Sequence, residues 1–226
     1  MHSFAILFQQ WRYLFLLGSL LLLLVIQPIM SGFGTVEWLF NALFVFVLTI
    51  LVLALAREKV WRVIAYALSI PAALLSIGSY FLTASAHDIS LFAGHMIGAF
   101  VLVTGKIIQS IFVSREISLD SIFGAICGYL LLGVACGLAY AMINTVSPES
   151  FQVGAAIRQQ MEQEDNIRNI FIYFSFVTLT TVGYGDISPL SIPARTLAWV
   201  EAMTGQLYLA VLIAGLMGAL VTKKRD

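Results

Sequence analysis

The chain has 226 residues, of which 60% are hydrophobic and only 11% charged, and its mean hydropathy of +0.95 lies far above that of a water-soluble domain. Such a chain belongs in a bilayer. Twelve basic and twelve acidic residues cancel, so nothing marks it for nucleic acid, and no His, Cys or carboxylate set at metal-ligand or catalytic spacing supports an enzyme.

Crossing a hydrocarbon core about 30 Å thick takes about 20 apolar residues, and six stretches qualify, near 13–34, 37–56, 61–84, 89–113, 120–145 and 195–222. The first follows Arg12. Its apolar run exceeds that of a cleaved leader and no small-residue cleavage site follows, so it is expected to be retained. Arg57, Lys59, Arg62, Arg115, Lys223, Lys224 and Arg225 share alternate ends of the spans with Arg12, which puts both termini in the cytoplasm of a multi-pass protein of the cell membrane, plasma or inner. Glu37, Asp88, Glu149, Glu162, Glu164, Asp165 and Asp186 then face outward. In the fifth span Cys127 and Cys136 are nine positions apart, on opposite faces of a helix, and read as packing residues.

After the fifth span, residues 147–168 are polar and read as an outer turret, with a short helix expected over 154–164. The apolar stretch 169–180 is too short to cross. It runs into a Gly-containing loop and is followed by Pro189 and Pro193, so it is expected to enter and leave on the outer side. Non-helical backbone at that depth persists only where protein or a water-filled cavity satisfies it, which implies a pore or a pocket.

The loop itself, Thr180-Thr181-Val182-Gly183-Tyr184-Gly185-Asp186, resembles the signature of the potassium channel family, in its six-transmembrane, single-pore-loop, prokaryotic-type form. The resemblance implies an all-α membrane protein of six transmembrane helices plus a re-entrant pore helix and selectivity filter, assembled as a tetramer around a central pore. Carbonyls of Thr181, Val182, Gly183 and Tyr184, with the Thr181 hydroxyl, would replace the water around K+. K+ is the only ligand expected, as the permeant ion, with no cofactor. Gly183 and Gly185 would supply positive φ values that a side chain penalises, turning Val182 and Tyr184 away from the axis. One chain provides one strand of oxygens, so a closed ring takes about four copies, a homotetramer in the lipid bilayer. The carboxyl end of helix 169–180, started by a cap at Asp165 or Asn166, would favour a cation in the cavity. Asp186 from each copy would ring the outer mouth.

In the inner helix Gly205 stands where the family commonly bends, although a glycine for close helix packing reads equally well. Leu209, Ile213 and Met217 form one stripe, for the cavity or for subunit packing. Tyr173 and Phe174 are placed to support Tyr184, or simply to pack. Glu201, an ionisable group inside a span, is expected behind the filter near Ser175 or Thr178, with outer water or Arg195 as its other destinations.

Residues 1–115 resemble a four-helix voltage-sensor domain and 116–226 a pore domain. Steep voltage dependence takes about 3–4 gating charges per subunit, and the every-third-residue register of the fourth helix reads Lys106, Gln109, Phe112, Arg115. Weak or absent intrinsic voltage dependence is the expectation. His95, in the same helix, reads as a packing residue. A non-selective cation channel and a regulatory membrane subunit are the competing functions.

Overall fold

In hydrocarbon a backbone must satisfy its own polar groups, and most of the described chain does so as helix. The computed structural model describes residues 11–31, 119–163 and 167–223, with the isolated positions 63, 98 and 105. The expected spans near 37–56, 61–84 and 89–113, together with His95, Lys106, Gln109, Phe112 and Arg115, otherwise lie outside the described residues. Elements are numbered among the described ones.

Helix α1 (Arg12–Ser31) packs along helix α2 (Leu119–Val146). Tyr13, Leu16, Leu20 and Leu23 are buried, and their spacing of three and four defines a single face. At the start of α1 the Tyr13 amide donates to Asp120 Oδ1 at 3.0 Å. This amide belongs to the first turn, which has no intrahelical acceptor, so the carboxylate of a neighbouring helix satisfies it and opposes the helix dipole. The Tyr13 ring covers Gly124, where a Cβ would lie 3.0 Å from it, and the Cys127 thiol donates to the Tyr13 carbonyl at 3.5 Å. With its start held there and its buried face continuing to Leu23, α1 runs parallel to α2.

Burial on α2 extends around the helix, from Ala125 and Cys127 to Leu138 and Tyr140, because α1, α4 (Ile167–Leu179) and α5 (Ile192–Lys223) all pack on it. The crossing with α4 is made by two glycines. A Cβ at Gly133 would sit 2.7 Å from the Phe176 ring, and one at Gly137 would sit 2.7 Å from Ile172 Cα. Four residues apart, they share a face and let the backbones approach as a small-residue motif does in membranes.

Between α2 and α4 the chain makes a 3-10 turn at Pro148–Ser150, strand β1 (Phe151–Val153) and helix α3 (Ala155–Gln163). The last of these is the short helix expected over 154–164. Beyond α4, strand β2 (Ile187–Pro189) pairs antiparallel with β1, with Phe151 opposite Pro189, Gln152 opposite Ser188 and Val153 opposite Ile187. This two-stranded sheet is a small addition to a chain that is mostly helical, as the all-α class expects; three-residue strands are too short to show a period of two in the sequence. Phe151 anchors it in a core with Tyr140, Phe171 and Phe174, at ring separations of 5.9, 4.6 and 5.8 Å respectively.

Among the described residues, Leu119–Val146 and Ile192–Gly215 are long and apolar enough to cross a membrane; Tyr13–Ile26 and Ile167–Leu179 are shorter apolar helices. Gly137→Leu would drive a side chain into the Ile172 backbone. The expected loss of stability is about 1–3 kcal/mol, read from unfolding of the detergent-solubilised protein; an unchanged transition would rule out so close a crossing.

Candidate functional site

Helix α4 ends at Leu179, and the chain folds back on its last turn. Thr180 N–H donates to Phe176 O at 3.1 Å, Thr181 N–H to Thr178 O at 2.9 Å, and Val182 and Gly183 both donate to Val177 O, at 2.9 and 3.3 Å. Helix-end carbonyls otherwise lacking partners are thereby satisfied, and the loop is tied to the helix that precedes it. The backbone then takes positive φ at every second residue: 59° at Thr181, 59° at Gly183 and 78° at Gly185. Thr181 is the only non-glycine in that region among the described residues. For a β-branched side chain this costs about 1–2 kcal/mol, and such strain collects at functional sites. Alternating handedness turns successive peptide planes to face the same way, so the carbonyls can form one row.

The hydroxyls near the loop are turned inward along the chain. Thr178 and Thr180 donate to Phe174 O and Phe176 O at 2.9 and 2.6 Å, and Thr181 Oγ1 donates to Thr180 O at 2.7 Å. Donation uses the proton of Thr181 and leaves its lone pairs open to a cation. In a single chain Val182 is 53% and Tyr184 71% exposed, so little of their own chain covers them.

At the far end of the loop Asp186 is held through three atoms. Oδ2 accepts from the Tyr173 hydroxyl at 2.6 Å, Oδ1 from its neighbour Ile187 N–H at 3.1 Å, and the carbonyl from Gly154 N–H at 2.8 Å. The bond to Asp186 pushes the Tyr173 phenol up to about 12, which keeps it a donor. Phe174 turns into the core instead, where its ring meets that of Tyr140 edge-on at a centroid distance of 4.9 Å. The two aromatic candidates thus do different things: one reaches Asp186, the other the core.

Glu201 is 1% exposed. Tyr140 of α2 donates to its Oε2 at 2.6 Å, and Ser175 of α4 approaches its Oε1 at 2.5 Å and Gly133 O at 2.6 Å. The carboxyl group therefore joins three helices at mid-depth of α4, near Ser175 as expected. Arg195 points elsewhere, donating to Pro189 O at 3.2 Å. One turn further along α5, Gly205 packs against Leu179, whose carbonyl and side chain a Cβ would strike. Tyr208 then donates to Ala125 O at 2.6 Å, and its ring lies 5.6 Å from Tyr129, which donates to Leu179 O at 3.3 Å. Glu201, Gly205 and Tyr208, spaced four and three, form the inward face of α5. Leu209 and Ile213 lie on exposed surface of a single chain; Met217 is on the same helix, but its side chain lies outside the description.

Sequence reasoning singled out neither Tyr140 nor Tyr208, nor the glycine pair at 133 and 137. Their signals were present: a tyrosine inside an apolar span needs a partner for its hydroxyl, and Gly133-Val134-Ala135-Cys136-Gly137 is a small-residue crossing motif. Tyr140→Phe keeps the ring and removes a donor from a buried carboxyl group. The expected cost is about 1–3 kcal/mol, measured as thermal unfolding in detergent, with a smaller effect when Glu201→Gln is already present; equal effects in both backgrounds would uncouple the two residues.

Residues 130–222 match a family model described as "Ion channel"; no curated protein and no solved structure matches the chain. The match runs from α2 through the loop at 181–186 and into the end of α5, and it supports membership of an ion channel family for the part of the chain that holds the site.

Proposed function

We propose that the chain is one subunit of a homotetrameric, potassium-selective channel of the cell membrane. K+ would pass through the loop at 181–185, with Asp186 at the outer mouth and both termini in the cytoplasm. The observation that carries this reading is the positive φ at Thr181, Gly183 and Gly185, in the sequence Thr-Val-Gly-Tyr-Gly-Asp after a short helix that does not cross. A row of carbonyls replaces ion hydration only when other rows close around it, so four copies are needed. The exposed Val182 and Tyr184, and an apolar α5 exposed over much of its described surface in a single chain, support cover by neighbouring copies and lipid. Leu209, Ile213 and Met217 would line the cavity below the filter. The dipole of α4, ending at Leu179, would favour a cation there.

The parallel packing of α1 on α2 supports the six-span topology. Tyr13 and Asp120 meet at one end, so if both helices cross, the chain between them must cross an odd number of times. The three spans expected within 37–113 satisfy that parity. Regulation by a strong voltage sensor is not proposed, since the fourth-helix register carries only Lys106 and Arg115.

Purified protein in liposomes should carry potassium down its gradient, with a reversal potential in mixed potassium and sodium that follows potassium and without a steep dependence of current on voltage. Gly183→Ala, which places a side chain at positive φ, should lose that selectivity. Equal permeation of the two ions by the unaltered protein would favour the non-selective reading, and no flux would favour a regulatory subunit.

A further inference from the structure

Five residues of the turret, 150–154, run antiparallel along the five that follow the loop, 186–190. At one end the Ser150 carbonyl accepts from Leu190 N–H at 2.8 Å and from Ser191 N–H at 3.3 Å; at the other, Gly154 N–H donates to the Asp186 carbonyl at 2.8 Å. The β1–β2 ladder lies between them. Phe151 and Ile187 are buried in the aromatic core, together with Phe171 and Phe174 of the pore-side helix α4. The turret strand is therefore a strut seated on the same helix whose carboxyl end holds the beginning of the loop.

We infer that residues 150–154 are a positioning element for the outer end of the filter, and that the Gly154 N–H, by fixing the Asp186 carbonyl one residue beyond Gly185, sets how long the loop keeps its conducting geometry. The inference rests on the proposed channel function. The mechanical reason is local: Gly185 has φ of 78° and no side chain to lock it, so what anchors the residue after it limits how far the Gly185–Asp186 peptide can rotate. Tyr173 restrains the Asp186 side chain, but the peptide that follows Asp186 is restrained by Gly154 and by the ladder. Backbone donors on an outer loop thus act on the filter without touching an ion.

A pair of substitutions isolates the bond. Gly154→Pro removes the N–H, keeps the carbonyl that accepts from Arg158 N–H at 2.9 Å, and follows the extended Val153, as a proline requires. Gly154→Ala keeps the N–H and brings a Cβ to an ordinary 3.4 Å from the Asp186 carbonyl. In reconstituted channels under sustained opening, the proline variant should lose current about three- to tenfold faster than the unaltered protein, as expected for one lost hydrogen bond. Its sodium permeation relative to potassium should also rise, while the alanine variant should match the unaltered protein. Indistinguishable proline and alanine variants would overturn the inference and leave the channel reading intact, whereas absence of potassium flux in the unaltered protein would overturn that reading. Should the proline variant fail to assemble, amide hydrogen exchange of the unaltered protein decides: protection of the Gly154 amide comparable to that of the β2 amides supports the strut, and rapid exchange there overturns it.

Discussion

A backbone that changes handedness at every residue, as it does around Thr181, Gly183 and Gly185, builds neither a helix nor a sheet ladder, so its carbonyls receive no donors in regular order. Inside a membrane that arrangement persists only if something else holds the chain and something else meets the oxygens. The holding is visible at both ends. Four amides after α4 return to the helix's own last carbonyls, and beyond the loop Asp186 is gripped by Tyr173, by its neighbour's amide and by Gly154. Between those fixed points the residues at 181–185 are the exposed part.

Holding the loop is useful only if α4 itself does not move, and α4 is located from two sides. On one side Gly133 and Gly137 let α2 approach until Phe176 and the Ile172 backbone touch it. On the other, Gly205 admits α5 to Leu179, at the helix end that starts the loop. Glu201 ties all three helices through Tyr140 and Ser175. A buried carboxyl group is costly to desolvate and is retained only where its oxygens are met, and here hydroxyls meet both. With Glu201, Gly205 and Tyr208 all facing inward, the upper part of α5 is joined to the scaffold at three successive points, and the close contact at Gly205 gives that glycine a packing reason of its own.

The first helix extends the same scaffold. Although α1 is separated from α2 by most of the front half of the chain, its start is capped by Asp120 and its tyrosine covers Gly124. Packing between α1 and α2 therefore crosses the boundary expected near residue 115. A segment N-terminal to that boundary lies directly against the start of α2, the helix in which the ion-channel match begins.

How much of this was legible in the sequence follows from how local each signal is. Apolar runs of sufficient length announced α2 and α5, a shorter one announced α4, and the spaced glycines at 183 and 185 announced positive φ, because each is a property of neighbouring residues. The carboxylate at 201 was conspicuous for the same reason: a charge within a span is visible without any partner. What answered it was not, since Tyr140 lies 61 residues away and Ser175 26, and either would read as ordinary in its own window. The strands were hidden by their shortness, and the positive φ of Thr181 by its side chain, which argues against that conformation until the bonds on both sides impose it. The amino-acid sequence by itself thus determined the long apolar helices, the short helix before the loop and the positive φ of the loop glycines, which rest on composition and local order. Only the tertiary structure decided which groups restrain that loop, because those contacts join residues far apart along the chain and depend on how closely its helices cross.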